Sequence, residues 1–82
     1  MIMTDIYVAA LNRTCDFKLN EDVPIALVID EVLGILAKEV TDQEQPSGEG
    51  FTLCSAAQET KLPKDATLRS CGIVNGDRLI LV

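Results

Sequence analysis

The chain contains no histidine and no tryptophan, and its aromatic residues are one tyrosine and two phenylalanines. Without an imidazole it has no ready base for making a thiolate, so Cys–His and Ser–His nucleophilic catalysis are excluded. Its three cysteines, Cys15, Cys54 and Cys71, are widely separated and form no Cys-x-x-Cys pair. With no histidine beside them they supply no tetrahedral zinc set, and they are read as small apolar residues. Basic charge is scarce, with 7 Lys and Arg against 13 Asp and Glu and a net charge of −6. Lys18, Lys38, Lys61 and Lys64 do not cluster, and so acidic a surface repels phosphate backbones; nucleic acid is not an expected partner. No basic stretch leads into an apolar segment at the start, and no apolar run approaches the ~18 residues of a membrane span. A reduced, cytoplasmic protein without direct membrane insertion is expected.

What is present is a core. The 82 residues, 48% of them hydrophobic, suffice for a single domain over 1–82. The segment Pro24 to Val40 is the one stretch long and periodic enough for a helix. At 100° per residue, Ile25, Val32, Leu33, Leu36 and Val40 fall within about 60° of Ile29 and form a buried stripe. Val28 and Ile35 flank it at about 100° and 120°, and Leu27 lies about 160° away. Pro24 suits the first helical position, because its missing N–H has no partner there in any case. Glu21 and Asp22 complement the positive end of the helix dipole. Gly34 costs ~1 kcal/mol inside the helix relative to alanine.

The rest reads as short alternating strands. Ile2 to Leu11 places Ile6, Val8 and Ala10 on one face and Asp5, Tyr7 and Ala9 on the other. After a turn at Asn12 to Thr14, Cys15, Phe17 and Leu19 alternate with Asp16, Lys18 and Asn20, giving an antiparallel hairpin. The segment 41–50 is polar, carries Pro46, Gly48 and Gly50, and is predicted to be a surface loop. Phe51 to Ser55 alternates, with Phe51 and Leu53 facing one way and Thr52 and Cys54 the other. Gln58 to Leu62 is a return strand, Ala66 to Gly72 one helical turn with a glycine exit, and Asn75 to Asp77 a tight turn. Arg78 to Val82 ends the chain as a strand. The order is β-β-α-β-β-β, an α+β pattern that closes most simply as a mixed sheet over the helix stripe. Its first and last strands then lie adjacent at the centre, the β-grasp arrangement.

No catalytic constellation emerges. The carboxylate pairs Glu21/Asp22, Asp30/Glu31 and Asp42/Glu44 sit in polar or helix-end contexts and read as solvated surface. Gly48 to Gly50 is followed by neither a Lys-Ser/Thr pair nor a helix, so it is not a phosphate loop. No cofactor, metal site or enzyme activity is expected.

Leu62 with Pro63, the pair Thr67-Leu68, then Ile73, Gly76-Asp77 and the alternation Leu79, Ile80, Leu81 resemble the ending of ubiquitin-like proteins. With the N-terminal hairpin and the Pro24-Ile25 helix start, the chain is similar over its whole length to the YukD-like (EsaB-like) bacterial family of the ubiquitin superfamily. These are core and turn residues, specific for fold more than for function. The resemblance implies a ubiquitin-like β-grasp and a cytoplasmic accessory factor of type VII (ESX-like) secretion in Gram-positive bacteria, acting on protein partners of the secretion machinery. The sequence stops at Val82, inside its last strand and without a glycine pair, so conjugation or sulfur-carrier chemistry is not expected. A continuation ending in Gly-Gly would revive that alternative. A third alternative is a cytoplasmic domain cut from a larger membrane component of secretion. Ubiquitin-like proteins commonly bind partners through the sheet face opposite the helix, where Tyr7, Cys54, Ile80 and Val82 are predicted to lie. They are the candidate partner-binding residues.

Overall fold

A computed structural model describes residues 1–39 and 50–82. Two antiparallel strands, β1 (Ile2–Val8) and β2 (Arg13–Leu19), precede helix α1 (Ile25–Glu39). Strands β3 (Leu53–Ser55), β4 (Thr60–Lys61) and β5 (Arg78–Leu81) follow. The sheet order is β2-β1-β5-β3-β4, with β5 parallel to β1 and antiparallel to β3. The first and last strands therefore meet at the centre, as the pattern of elements predicts.

One sheet face carries the core. Ile6, Val8, Phe17, Leu19, Leu53, Leu79 and Leu81 are buried with Ile25, Ile29, Val32, Leu33 and Leu36 of α1. Each fully buried aliphatic side chain contributes about 1.5–3 kcal/mol. Cys15 and Cys71 pack half-buried against this cluster. Among the described residues no helix is long and apolar enough to cross a membrane.

Several expectations change. Ala10 does not continue the inner face of β1. Residues Ala9–Leu11 form an exposed 3-10 turn, and Asn12 adopts the left-handed conformation at φ 48°, so four residues close the hairpin between Val8 and Arg13. The helix starts at Ile25, one residue after Pro24, whose carbonyl accepts hydrogen bonds from the Leu27 and Val28 amides. Val28, expected on the flank of the stripe, is buried; Leu27 and Ile35 stay exposed at 54% and 39%. The irregular segment 62–73 explains the widening, because it carries Leu62, Leu68 and Ile73 into the same core. The return strand shrinks to Thr60–Lys61, and Phe51 lies outside β3. Ala66 to Gly72 forms hydrogen-bonded turns and no regular helix, with Gly72 at φ 76° as the exit. Val40 and residues 41–49 of the loop expected over 41–50 lie outside the described residues.

The acidic pair stands before the helix, whose own first turn holds no acidic residue. The Ile25 and Ala26 amides instead donate to the Ala66 and Lys64 carbonyls at 2.8 and 3.0 Å, so a later segment satisfies the helix's unpaired N–H groups. Glu21 and Asp22 meet Arg69 from that same segment. Arg69 Nε and Nη2 donate to the two Asp22 carboxylate oxygens at 2.6 and 3.2 Å, and Nη2 lies 3.5 Å from Glu21 Oε1. This bidentate bond holds the Asp22 carboxyl below the ordinary carboxylate range.

One buried polar atom is left over. Thr4 is 1% exposed, and its Oγ1 has no hydrogen-bond partner among the described residues. Burying an unpaired hydroxyl costs about 1–3 kcal/mol, and valine has nearly the same shape. Thr4→Val is therefore expected to raise stability by about 1 kcal/mol in urea unfolding. An unchanged or lower midpoint would mean that the hydroxyl is solvated in solution.

Candidate functional site

Alternation along each strand sends every second side chain to the face away from the helix. Register then decides which of these become neighbours. Tyr7 of β1 lies opposite Ile80 of β5, and Ile80 lies opposite Cys54 of β3. Continuing outward, Thr14 pairs with Tyr7 and Lys61 with Cys54. The result is one transverse row, Thr14–Tyr7–Ile80–Cys54–Lys61, crossing all five strands. Tyr7, Ile80 and Cys54 are half-buried. Val82 lies two residues beyond Ile80 on the same side, 51% exposed, and exchanges backbone hydrogen bonds with Thr52 at 2.6 and 2.9 Å. All four sequence-derived candidates thus share one face, three of them in a single row.

The Tyr7 hydroxyl donates to Asn12 Oδ1 at 2.6 Å, which ties the ring toward the hairpin loop. At the other end, the β3–β4 hairpin and Ile80 enclose an open recess of about 420 Å³, lined by Cys54, Ser55, Ala56, Glu59, Thr60, Lys61 and Ile80. Glu59 carries a positive φ of 53°, which turns the hairpin tightly back beside Cys54. The recess depends on a hairpin turn and a cross-strand register, neither of which has a local sequence signature. Met3, 43% exposed, belongs to the same face and was missed as a candidate; its odd-numbered parity with Asp5 and Tyr7 was the available signal.

A charged row runs beside the apolar one. Asp5 of β1 lies directly opposite Asp16 of β2 on one side and Arg78 of β5 on the other. Like charges in direct cross-strand positions are destabilising. The hydrogen bond to the Asp5 carboxyl, then its charge, then slight desolvation raise the Asp16 pKa. A carboxyl whose folded-state pKa is raised weakens the fold above that pKa, and the penalty disappears as pH falls below the unfolded value of about 4. Asp16→Asn is accordingly expected to raise the urea midpoint at pH 7 and low salt, with the gain shrinking toward pH 3 and in 0.5 M salt. A pH-independent difference would assign the effect to something other than the carboxylate pair.

The row holds a phenol, a thiol and aliphatic carbons, with Thr14 and Lys61 at its two ends.

Comparison with known proteins accords with this architecture. The family model for YukD, described as the WXG100 protein secretion system (Wss) protein YukD, matches residues 3–81. The EccD5 ubiquitin-like domain from Mycobacterium xenopi superposes with a TM-score of 0.74 at 22% identity, covering 99% of this chain and 91% of that one. The ubiquitin-like domain of the Mycobacterium tuberculosis type VII secretion system protein ECCD1 gives 0.65 at 23% identity, covering 100% and 99%. Caldiarchaeum subterraneum ubiquitin gives 0.73 at 16% identity, covering 98% and 89%. Among curated proteins none matches significantly. At these identities the structures establish the ubiquitin-like fold, while the family match extends over nearly the whole sequence. The chain therefore belongs to the YukD family of the WXG100 protein secretion system and is a secretion-associated ubiquitin-like module.

Proposed function

We propose that this protein is a cytoplasmic accessory factor of type VII secretion that binds a protein of the secretion machinery, without conjugation, through the outer face of its sheet. The observation that carries this reading is the register Tyr7–Ile80–Cys54, which assembles half-buried apolar side chains into one row with Val82 beside it. Apolar side chains gathered on one open face favour burial against a partner over scattered exposure. Membership of the YukD family supplies the secretion context.

The test is Ile80→Asp combined with Tyr7→Ser, read by pull-down from the native host and by export of secreted substrates. A folded double variant, verified by its amide spectrum, is expected to lose its captured partner and to impair secretion. Unchanged capture and unchanged export with the fold intact would remove this face from the function.

A further inference from the structure

The outer face carries one pair of carboxylates that face each other across strands, and that pair describes what it takes. At the β1–β2 end stand Asp5 and Asp16, facing each other across the ladder. Arg78 follows on β5, and Lys61 and Glu59 border the recess at the β3–β4 end. Lys18 lies two residues along β2 from Asp16, opposite Met3. Between the acidic end and the recess runs the Tyr7–Ile80–Cys54 row. A cation arriving on this face finds Lys61 at the recess end and, at the other, the facing Asp5 and Asp16, with Arg78 directly opposite Asp5 on its recess side. Seating it against Asp5 and Asp16 relieves a repulsion already present in the free protein.

The backbone narrows the form of the occupant. β1, β5 and β3 each have strands on both sides, so their N–H and C=O groups are already engaged. An extended peptide laid over Ile80 would find no backbone partners and would bury its own polar groups unsatisfied. A helix satisfies its backbone internally and offers only side chains. The spacing agrees. Adjacent strands lie about 4.8 Å apart and two residues along a strand span about 6.8 Å, so the acidic pair and the recess are roughly 14 Å apart. Two turns of helix rise about 11 Å, and an arginine side chain supplies the remainder.

We propose, resting on the assignment of this face to partner binding, that its partner presents an α-helix with an apolar, basic side. Aliphatic residues one turn apart cover Tyr7 and Ile80, one of them entering the recess beside Cys54 and Ala56. An arginine or lysine about two turns from the recess residue sits against Asp5 and Asp16.

The probe is a stapled, alanine- and glutamine-rich helical peptide with leucine at positions i and i+4 and arginine at i+8. Its twin carries glutamate at i+8. Binding to the full chain is followed by fluorescence anisotropy and by amide chemical shifts. The arginine peptide is expected to perturb Tyr7, Cys54, Ile80 and Asp16, to lower the Asp16 titration midpoint, and to bind at least tenfold more tightly than the glutamate twin. Asp5→Asn with Asp16→Asn is expected to remove that preference. Glu31→Gln with Asp65→Asn changes the net charge equally on other surfaces and is expected to leave it within twofold. Equal binding of the twins, binding of neither, shifts confined to an outer strand, or equal loss in the Glu31/Asp65 control overturns the proposal. The outcomes separate the two levels. If Ile80→Asp still abolishes partner capture while Asp5→Asn with Asp16→Asn does nothing, the face stands and the basic helix falls.

Discussion

Leu79→Ala is expected to lower stability by about 3 kcal/mol, within the 2–5 kcal/mol of buried leucine truncations. Ile80→Ala, one residue along the same strand, is expected to cost about 1 kcal/mol or less. Leu79 is 0% exposed and lies on the central strand, opposite Ile6 of β1 and Ser55 of β3. Removing its side chain leaves a cavity bounded on both sides by paired strands that cannot close over it. A chain of this length has roughly 4–12 kcal/mol of stability, so the loss is a large share of the whole. The melting temperature should fall on the order of 12–24 °C. Ile80 faces outward, so its truncation should spare the fold while weakening partner capture. Urea unfolding of the two variants reads this contrast, and similar midpoints would contradict the observed parity of β5.

Leu68→Ala is expected to be as damaging, about 3 kcal/mol, although the residue lies in no helix or strand. Its side chain is 0% exposed, and its carbonyl accepts the Ile73 amide at 2.9 Å. The same segment supplies the Ala66 and Lys64 carbonyls that hold the first amides of α1, and Pro24 forms an isolated bridge with Thr67. Loosening Leu68 should therefore speed hydrogen exchange at Ile25 and Ala26 beyond the global change. Val74→Ala is the control from the same region, since Val74 is 59% exposed, and it should stay within about 0.5 kcal/mol. Equal effects at Leu68 and Val74 would mean that the segment is a surface loop and no part of the core.

Much of this molecule is legible in its residues. The stripe Ile25, Ile29, Val32, Leu33, Leu36 marks one buried helix face, because a 3.6-residue period has few other readings. The parity of Phe17, Leu19, Leu79 and Leu81 separates inner from outer side chains on β2 and β5, because a strand's period is two. Asn75-Gly76 announces its turn. Gly76 sits at φ 91° in the third position of a turn closed by the Asp77 amide on the Val74 carbonyl, a backbone angle that side chains with a Cβ resist.

Other features have no local cause. Val28 is buried in a core to which a segment some forty residues later adds Leu62, Leu68 and Ile73. Nothing near Glu21 and Asp22 in the sequence announces Arg69, which arrives from the same distant segment and binds Asp22 through two bonds. Ala10 would continue β1 by alternation, but the hairpin must turn before Arg13 and takes Ala9–Leu11 for the purpose.

The sequence by itself determined the element order, the buried face of the helix, the outward parity of Tyr7, Cys54, Ile80 and Val82, and the resemblance to the YukD family. These depend on periods and turn residues, which act over a few positions of chain. The tertiary structure alone decided that Tyr7, Ile80 and Cys54 stand side by side, that Asp5 faces Asp16, and that a recess opens at the β3–β4 hairpin. Each of those depends on register between strands distant in sequence. Register is set by the packing of the whole core, so no local pattern records it.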